Sequence, residues 1–183
     1  MSNMLSVRDR RFGVAVLSVV VLAALAVLVA TLTSGRGGSR PAAESPRARQ
    51  FAAFTQCLLT DPAGLDSPAA APLWAAMQEA SSKTAAKSQY LALPAGVQPD
   101  EAKTYVNSLV VRGCDVILAA DGTPGTVAGE AAADHPTRHF LLAGGAAPSG
   151  NTAVVRAGAG SAVVAKALTD AFNGRFPAGT VLR

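Results

Sequence analysis

The chain has 183 residues, enough for one domain with a real core plus an additional N-terminal segment. Its formal charge of +4 comes from residues 1–50, which hold seven Arg against two carboxylates, whereas residues 51–183 hold nine Lys and Arg against ten Asp and Glu. The main part of the chain is therefore close to neutral, which argues against nucleic acid as a partner.

The N-terminal segment has the pattern of a membrane anchor. Residues 1–11 form a short basic tail, and residues 12–33 are uncharged and almost wholly apolar. As a helix, the apolar residues 12–32 would extend about 31 Å, enough to cross the hydrocarbon core of a bilayer. A cleaved signal peptide is the alternative, although its apolar region usually has about 7–15 residues. We expect a single-pass signal anchor in the cell membrane, with the rest of the chain extracytoplasmic.

The composition changes twice after this segment. Residues 34–50 are rich in Gly, Ser, Pro and Arg without an apolar period, which is typical of a flexible linker. From residue 51 onward, short apolar runs alternate with helical periods. Residues 51–183 are therefore the predicted folded domain.

The predicted domain begins with an apolar run at 54–60, a strand that ends in the turn residues Asp61 and Pro62. A helix over 72–80 and a second strand over 88–93 follow. The next helix, over 100–112, has the clearest period, with apolar residues recurring every three to four positions.

The second half of the domain continues the alternation. The sequence predicts a strand over 115–120, a helix over 125–133, strands over 139–143 and 152–156, and a last helix over 161–173. Strands that alternate with helices favour a parallel sheet covered by helices on both faces. We expect a single doubly wound, flavodoxin- or Rossmann-like α/β lobe with the strand order 2-1-3-4.

The two cysteines fall on strands that this order makes neighbours. Cys57 lies on the first strand and Cys114 at the start of the third. A disulfide would suit an extracytoplasmic domain. Two buried free thiols fit the same pattern, because cysteine is among the most buried residue types.

Candidate ligand-binding residues follow the strands, since open α/β sheets bind ligands at the carboxyl ends of their strands. Asp61 ends the first strand, Asp121 the third, and Gly144 and Gly145 the fourth. A carboxylate can accept hydrogen bonds from ligand hydroxyls, and glycines let a ligand approach the backbone. Asp61 could equally be a turn carboxylate before Pro62, and Asp121 part of a plain turn.

The sequence offers little for catalysis. Its two histidines, His135 and His139, do not belong to a His, Cys and carboxylate cluster with metal-ligand spacing. There is no Gly-x-Ser-x-Gly elbow and no Walker A motif. We therefore expect no enzyme, no catalytic residue, no cofactor and no metal.

Five segments, taken in order, resemble the basic membrane protein (BMP) family, the substrate-binding lipoproteins of ABC importers. The resemblance extends from about residue 54 to 172 and rests on residues 58–65, 74–77, 114–118, 139–142 and 151–156. It implies a type I periplasmic-binding-protein fold, a ligand of the nucleoside class and an ABC permease as partner. It covers only the N-terminal lobe of a two-lobed protein, and residues 66–71 lack the aromatic of the family's first loop.

An interaction module is the alternative function. A single lobe cannot close over a ligand as two hinged lobes do. The same scaffold could instead bind another cell-envelope protein, or a second copy of this chain in a homodimer, through the face that would meet the missing lobe.

Overall fold

Six parallel strands form one sheet in the part of the chain that the computed structural model describes, residues 50–144 and 147–183. Their order across the sheet is β2-β1-β3-β4-β5-β6, which confirms the predicted order of the first four. The strands are β1 (Thr55–Thr60), β2 (Lys87–Ala92), β3 (Val116–Ala119), β4 (His139–Ala143), β5 (Thr152–Val155) and β6 (Val181–Leu182).

Four α-helices cover the sheet within the described residues. They are α1 (Ala71–Thr84), α2 (Pro99–Val111), α3 (Thr123–Ala131) and α4 (Ser161–Phe172). Short 3₁₀ helices at Gly64–Asp66 and Ala132–Asp134 flank two of them. Helices α1, α2 and α3 each have a proline in the first turn, where the missing N–H would have no intrahelical acceptor.

The strands alternate their side chains between two apolar layers. Leu58, Leu118 and Leu141 belong to the layer that also contains the buried residues of α1 and α4. Their neighbours, such as Leu59 and Ile117, belong to the layer with the buried residues of α2 and α3. Helices therefore lie on both faces of the sheet, which confirms a doubly wound α/β lobe.

The disulfide between Cys57 and Cys114 is present. Their Cα atoms are 5.9 Å apart, and both side chains are fully buried in the layer beneath α2 and α3. The bond joins β1 to the residues just before β3, as expected for neighbouring strands. Within the described residues the chain has no free cysteine.

Several element boundaries differ from those predicted, most of them by one residue, and one short strand was not predicted. Helix α1 continues to Thr84 because the buried Ser81 hydroxyl donates a hydrogen bond to the Ala86 carbonyl, 2.7 Å away. Helix α3 begins at Thr123, two residues early, directly after Gly122 at a φ of 89°. Strand β6 was not predicted, since Val181 and Leu182 are too short a run to form a pattern.

The predicted N-terminal tail, the anchor over 12–33 and residues 34–49 of the linker lie outside the described residues. Among the helices that are described, none is long and apolar enough to cross a membrane.

Candidate functional site

The loops after β1, β2 and β3 surround a crevice of about 360 Å³ at the carboxyl end of the sheet. We call it the switch-point crevice, because the strand order reverses direction between β1 and β3. Asp61 and Asp121 both line it, so the fold brings these two predicted residues to one cavity. The other lining residues include the apolar Pro62, Leu93, Pro94, Val97 and Pro124, so that apolar side chains and polar groups share the wall.

Asp61 is a turn carboxylate as well as a crevice residue. Its Oδ1 accepts the backbone N–H of Ala63 at 2.9 Å, and its Oδ2 accepts the hydroxyl of Ser67 at 2.6 Å. These bonds shape the loop between β1 and α1. The carboxylate is half-buried and is fixed in position where it lines the crevice.

Asp121 is held at the N-terminus of α3. Its Oδ1 accepts the Gly122 N–H at 2.8 Å, and its side chain is otherwise exposed. The carboxylate also lies against the backbone of Gly144, where a Cβ would overlap its oxygen. Gly144 has a φ of 87°, a conformation that glycine adopts without strain. Asp121 and Gly144, both predicted site residues, are therefore in contact.

A second cavity of about 420 Å³, the α3 groove, extends from Asp121 between α3 and the segment around residues 147–152. Gly144 lines it, and Asp121 and Gly122 line both cavities. Helix α3 packs tightly here, since a Cβ on Gly125 would lie 3.0 Å from the Ala120 carbonyl oxygen and 3.1 Å from that of Ala143. The predicted site residue Gly145 lies outside the described residues.

Residues 147–151 lead into β5, and no helix is found among these described residues. Asn151 fixes the end of this segment, because the side-chain Nδ2 donates to the carbonyls of Ala132, His135 and Arg138 at 2.9–3.0 Å. These three carbonyls belong to the connection between α3 and β4. Asn151, directly before β5, is thereby held against the connection that follows α3, the helix that lines the α3 groove.

Sequence reasoning did not find the walls of the switch-point crevice. Leu93, Pro94 and Val97 follow β2, and apolar loop residues carry no chemical signal of their own. The available signal was positional, since β2 was predicted as a neighbour of β1 and its carboxyl-end loop had to lie at the same edge.

The histidines lie at the opposite, amino-end edge of the sheet. The His135 Nε2 is 2.8 Å from the Asn107 Oδ1. The ring of His139 stacks on Phe176 with centroids 4.4 Å apart, and its Nδ1 is buried without a partner in the described structure. Burial lowers the pKa of His139, and the nearby Asp115 partly opposes that shift. Neither histidine lines the crevice.

The sequence matches no protein-family model, and no curated protein matches it. In structure the chain is similar to an ABC transporter solute-binding protein from Conexibacter woesei DSM 14684, with 15% identity, a TM-score of 0.43, and coverage of 56% of this chain and 34% of that one. It is also similar to an ABC transporter solute-binding protein from Aeropyrum pernix K1, with 14% identity, a TM-score of 0.48, and coverage of 56% and 28%.

A third similar structure is a putative lipoprotein from Peptoclostridium difficile 630, a fragment, with 13% identity, a TM-score of 0.48, and coverage of 56% of this chain and 84% of that one. The chain spans about a third of the length of the two solute-binding proteins. Likenesses at this level do not identify a family, and the fold assignment rests on the strand order and layers described above.

Proposed function

We propose that the chain is a non-catalytic solute-binding lobe, resembling the BMP-type substrate-binding component of an ABC importer. The observation that carries the proposal is the switch-point crevice, where two carboxylates and apolar walls converge from three loops. Ligand sites of open α/β sheets lie at this position. The crevice is partly open, and we propose that a second lobe or a permease completes it.

The disulfide supports an extracytoplasmic position for the lobe. Disulfides persist mainly in oxidising compartments, and the Cys57–Cys114 bond is fully buried in the core. We propose that residues 12–33 tether the lobe to the outer side of the membrane. Sequencing the N-terminus of protein from the membrane fraction tests the tether, because a start near residue 34 would show a cleaved signal peptide instead.

Thermal unfolding of the purified full-length chain with a panel of sugars, amino acids, amines and nucleosides tests solute binding. A ligand at its Kd adds only about 0.4 kcal/mol to the free energy of unfolding, whereas a hundredfold excess adds about 2.7 kcal/mol. The panel should therefore be run at millimolar concentrations.

We expect one chemical class to raise the Tm, and the variant Asp121→Ala to lose that rise. Asp134→Ala is the matched control, since it removes an exposed carboxylate beyond the crevice lining, in the 3₁₀ helix after α3. A flat panel from a chain that melts cooperatively would reject solute capture and direct attention to a protein partner.

A further inference from the structure

The chemistry around the switch-point crevice selects the charge of its ligand. The loops after β1, β2 and β3, residues 61–70, 93–98 and 120–122, contain no Lys, Arg or His, and neither do the residues that line the crevice. The same loops and the first turn of α2 hold five carboxylates, namely Asp61, Asp66, Asp100, Glu101 and Asp121. Lys103, which follows on α2, is paired with Glu130 at 2.9 Å.

The charges at the opposite edge have a different balance. The amino-end connections carry four cations against Asp115 and Asp134: Lys87, Arg112, Arg138 and Arg175. The acidic character is local to the loops around the crevice, because Arg156 and Arg183 follow β5 and β6 at the same edge and the domain as a whole is almost neutral. A cleft lined by one sign of charge raises the local concentration of ligands of the other sign.

The N-terminus of α3, which would attract an anion, already has one of its N–H groups bonded to a carboxylate. This terminus lies at the crevice and carries the positive end of the helix dipole. Its Gly122 N–H, however, donates to the Asp121 carboxylate at 2.8 Å. A phosphate or carboxylate ligand would have to compete with that carboxylate and with Asp61.

The lining residues of the crevice also restrict the uncharged part of the ligand. Prolines and aliphatic residues line the crevice, and none of the described lining residues is aromatic. A nucleobase would find no ring on which to stack, whereas an aliphatic chain would find apolar contact. A volume of about 360 Å³ suits a small molecule.

We propose that the crevice binds a small protonated aliphatic amine, with Asp61 and Asp121 accepting its N–H groups. This inference rests on the proposed solute-binding function. Ammonium-to-carboxylate hydrogen bonds are the strong, charge-assisted kind. Asp61 is fixed by the Ala63 N–H and the Ser67 hydroxyl, so binding would cost little ordering of this side chain.

Isothermal titration calorimetry on the full-length chain tests whether the crevice prefers a cation. Three probes of equal carbon number are compared: 1,4-diaminobutane, 1,4-butanediol and succinate. Uridine is a fourth, neutral probe. We expect 1,4-diaminobutane to bind, the other three to bind at least about tenfold more weakly, and its affinity to fall as NaCl rises from about 50 to about 500 mM.

Two isosteric variants locate the contacts. Asp61→Asn and Asp121→Asn should each weaken 1,4-diaminobutane binding about tenfold or more, the loss expected for one charge-assisted hydrogen bond. An asparagine oxygen can still accept the Ala63 or Gly122 N–H. In Asp61→Asn the Nδ2 group can donate to the Ser67 hydroxyl oxygen, which replaces the bond that this hydroxyl now donates to Asp61. An unchanged circular dichroism spectrum checks that the loops keep their shape. Asp134→Asn is the matched control, since it removes an exposed carboxylate at the opposite edge of the sheet that does not line the crevice.

The possible failures differ. Tight binding of uridine or 1,4-butanediol that is lost in Asp121→Asn would overturn the amine proposal and leave the solute-binding function standing. Diamine binding that neither Asp61→Asn nor Asp121→Asn weakens would also overturn it, since the cation would then bind elsewhere. If neither these probes nor any compound of the wider panel binds, the solute-binding function itself fails.

Discussion

Asp121 and Gly144 contact each other more closely than any larger residue at position 144 would permit. The φ of Gly144 is 87°, and a Cβ there would overlap the Asp121 carboxylate. We expect Gly144→Ala to lower the free energy of unfolding by about 1–2 kcal/mol through its backbone alone, and further through displacement of Asp121. Urea denaturation measures the loss, and ligand titration should show weaker binding as the carboxylate moves.

The two causes can be separated with the double variant Gly144→Ala/Asp121→Ala. With the carboxylate removed, only the backbone cost of alanine remains, so the double variant should be more stable than the sum of the single effects predicts. Strict additivity would mean that Asp121 does not constrain position 144.

His139 makes stability depend on pH. Burial lowers the pKa of His139 in the folded chain below the ordinary value of 6.5. As the pH falls, His139 is therefore protonated in the unfolded chain before it is protonated in the folded chain. The unfolded state then binds more protons, and the free energy of unfolding decreases as the pH falls. The contribution of neutral His139 should be complete above pH 6.5 and should be lost progressively below it, as urea denaturation at a series of pH values would show.

Two variants assign this pH dependence. His139→Phe keeps a ring against Phe176 but cannot titrate, so its stability curve should be flatter than the wild-type curve just below pH 6.5. His135→Gln, at the half-buried histidine beside Asn107, should retain the wild-type slope. Equal slopes for His139→Phe and the wild type would contradict the assignment.

At the scale of elements, the disulfide joins β1 to the start of β3 across a sequence separation of 57 residues. Closing a loop of this length restricts the unfolded chain, and removing such a bond typically costs about 2–4 kcal/mol. We expect Cys57→Ala/Cys114→Ala to lose stability by about that amount in urea denaturation. The wild type, reduced while unfolded and kept reduced, is the control, because it loses the bond but keeps both sulfur atoms in the core.

Asn151 holds the segment that leads into β5, since its Nδ2 donates to three carbonyls. We expect Asn151→Ala to lower the free energy of unfolding by about 1–3 kcal/mol, because it leaves partly buried carbonyls without their donor. Asn173→Ala is the comparison, since that exposed amide makes one local bond to the Thr169 carbonyl. If the two alanine variants lost equal stability, the bonds of Asn151 would not be holding the segment.

The sequence predicted those elements whose pattern of apolar residues matches their burial in the fold. Strand β3 is buried on both faces and is a continuous apolar run, and residues 140–143 of β4 are likewise a continuous apolar run. The end of α1 was missed because residues 81–84, its last turn, are all polar and carry no apolar period. Strand β6 was missed because only its pairing with β5 makes Val181 and Leu182 a strand.

At the scale of the whole molecule, the strand order was enough to place Asp61 and Asp121 at one edge, and the crevice that they line confirms that placement. The sequence pattern did not predict which groups contact each of these two carboxylates. The bond from Ser67 to Asp61 and the contact of Asp121 with Gly144 depend on how loops from different strands pack. The acidic character of the loops around the crevice could have been predicted by assigning each charged residue to one end of the sheet.

The disulfide also closes a covalent ring, residues 57–114, that contains α1, β2 and α2. The loop after β2 lies on this ring and contains the exposed residues Pro94, Ala95 and Gly96. A protease that cuts there would leave two fragments joined through sulfur. The nicked chain would migrate as one species in a denaturing gel without reductant and as two with it, so a single band without reductant says nothing about whether the backbone is continuous.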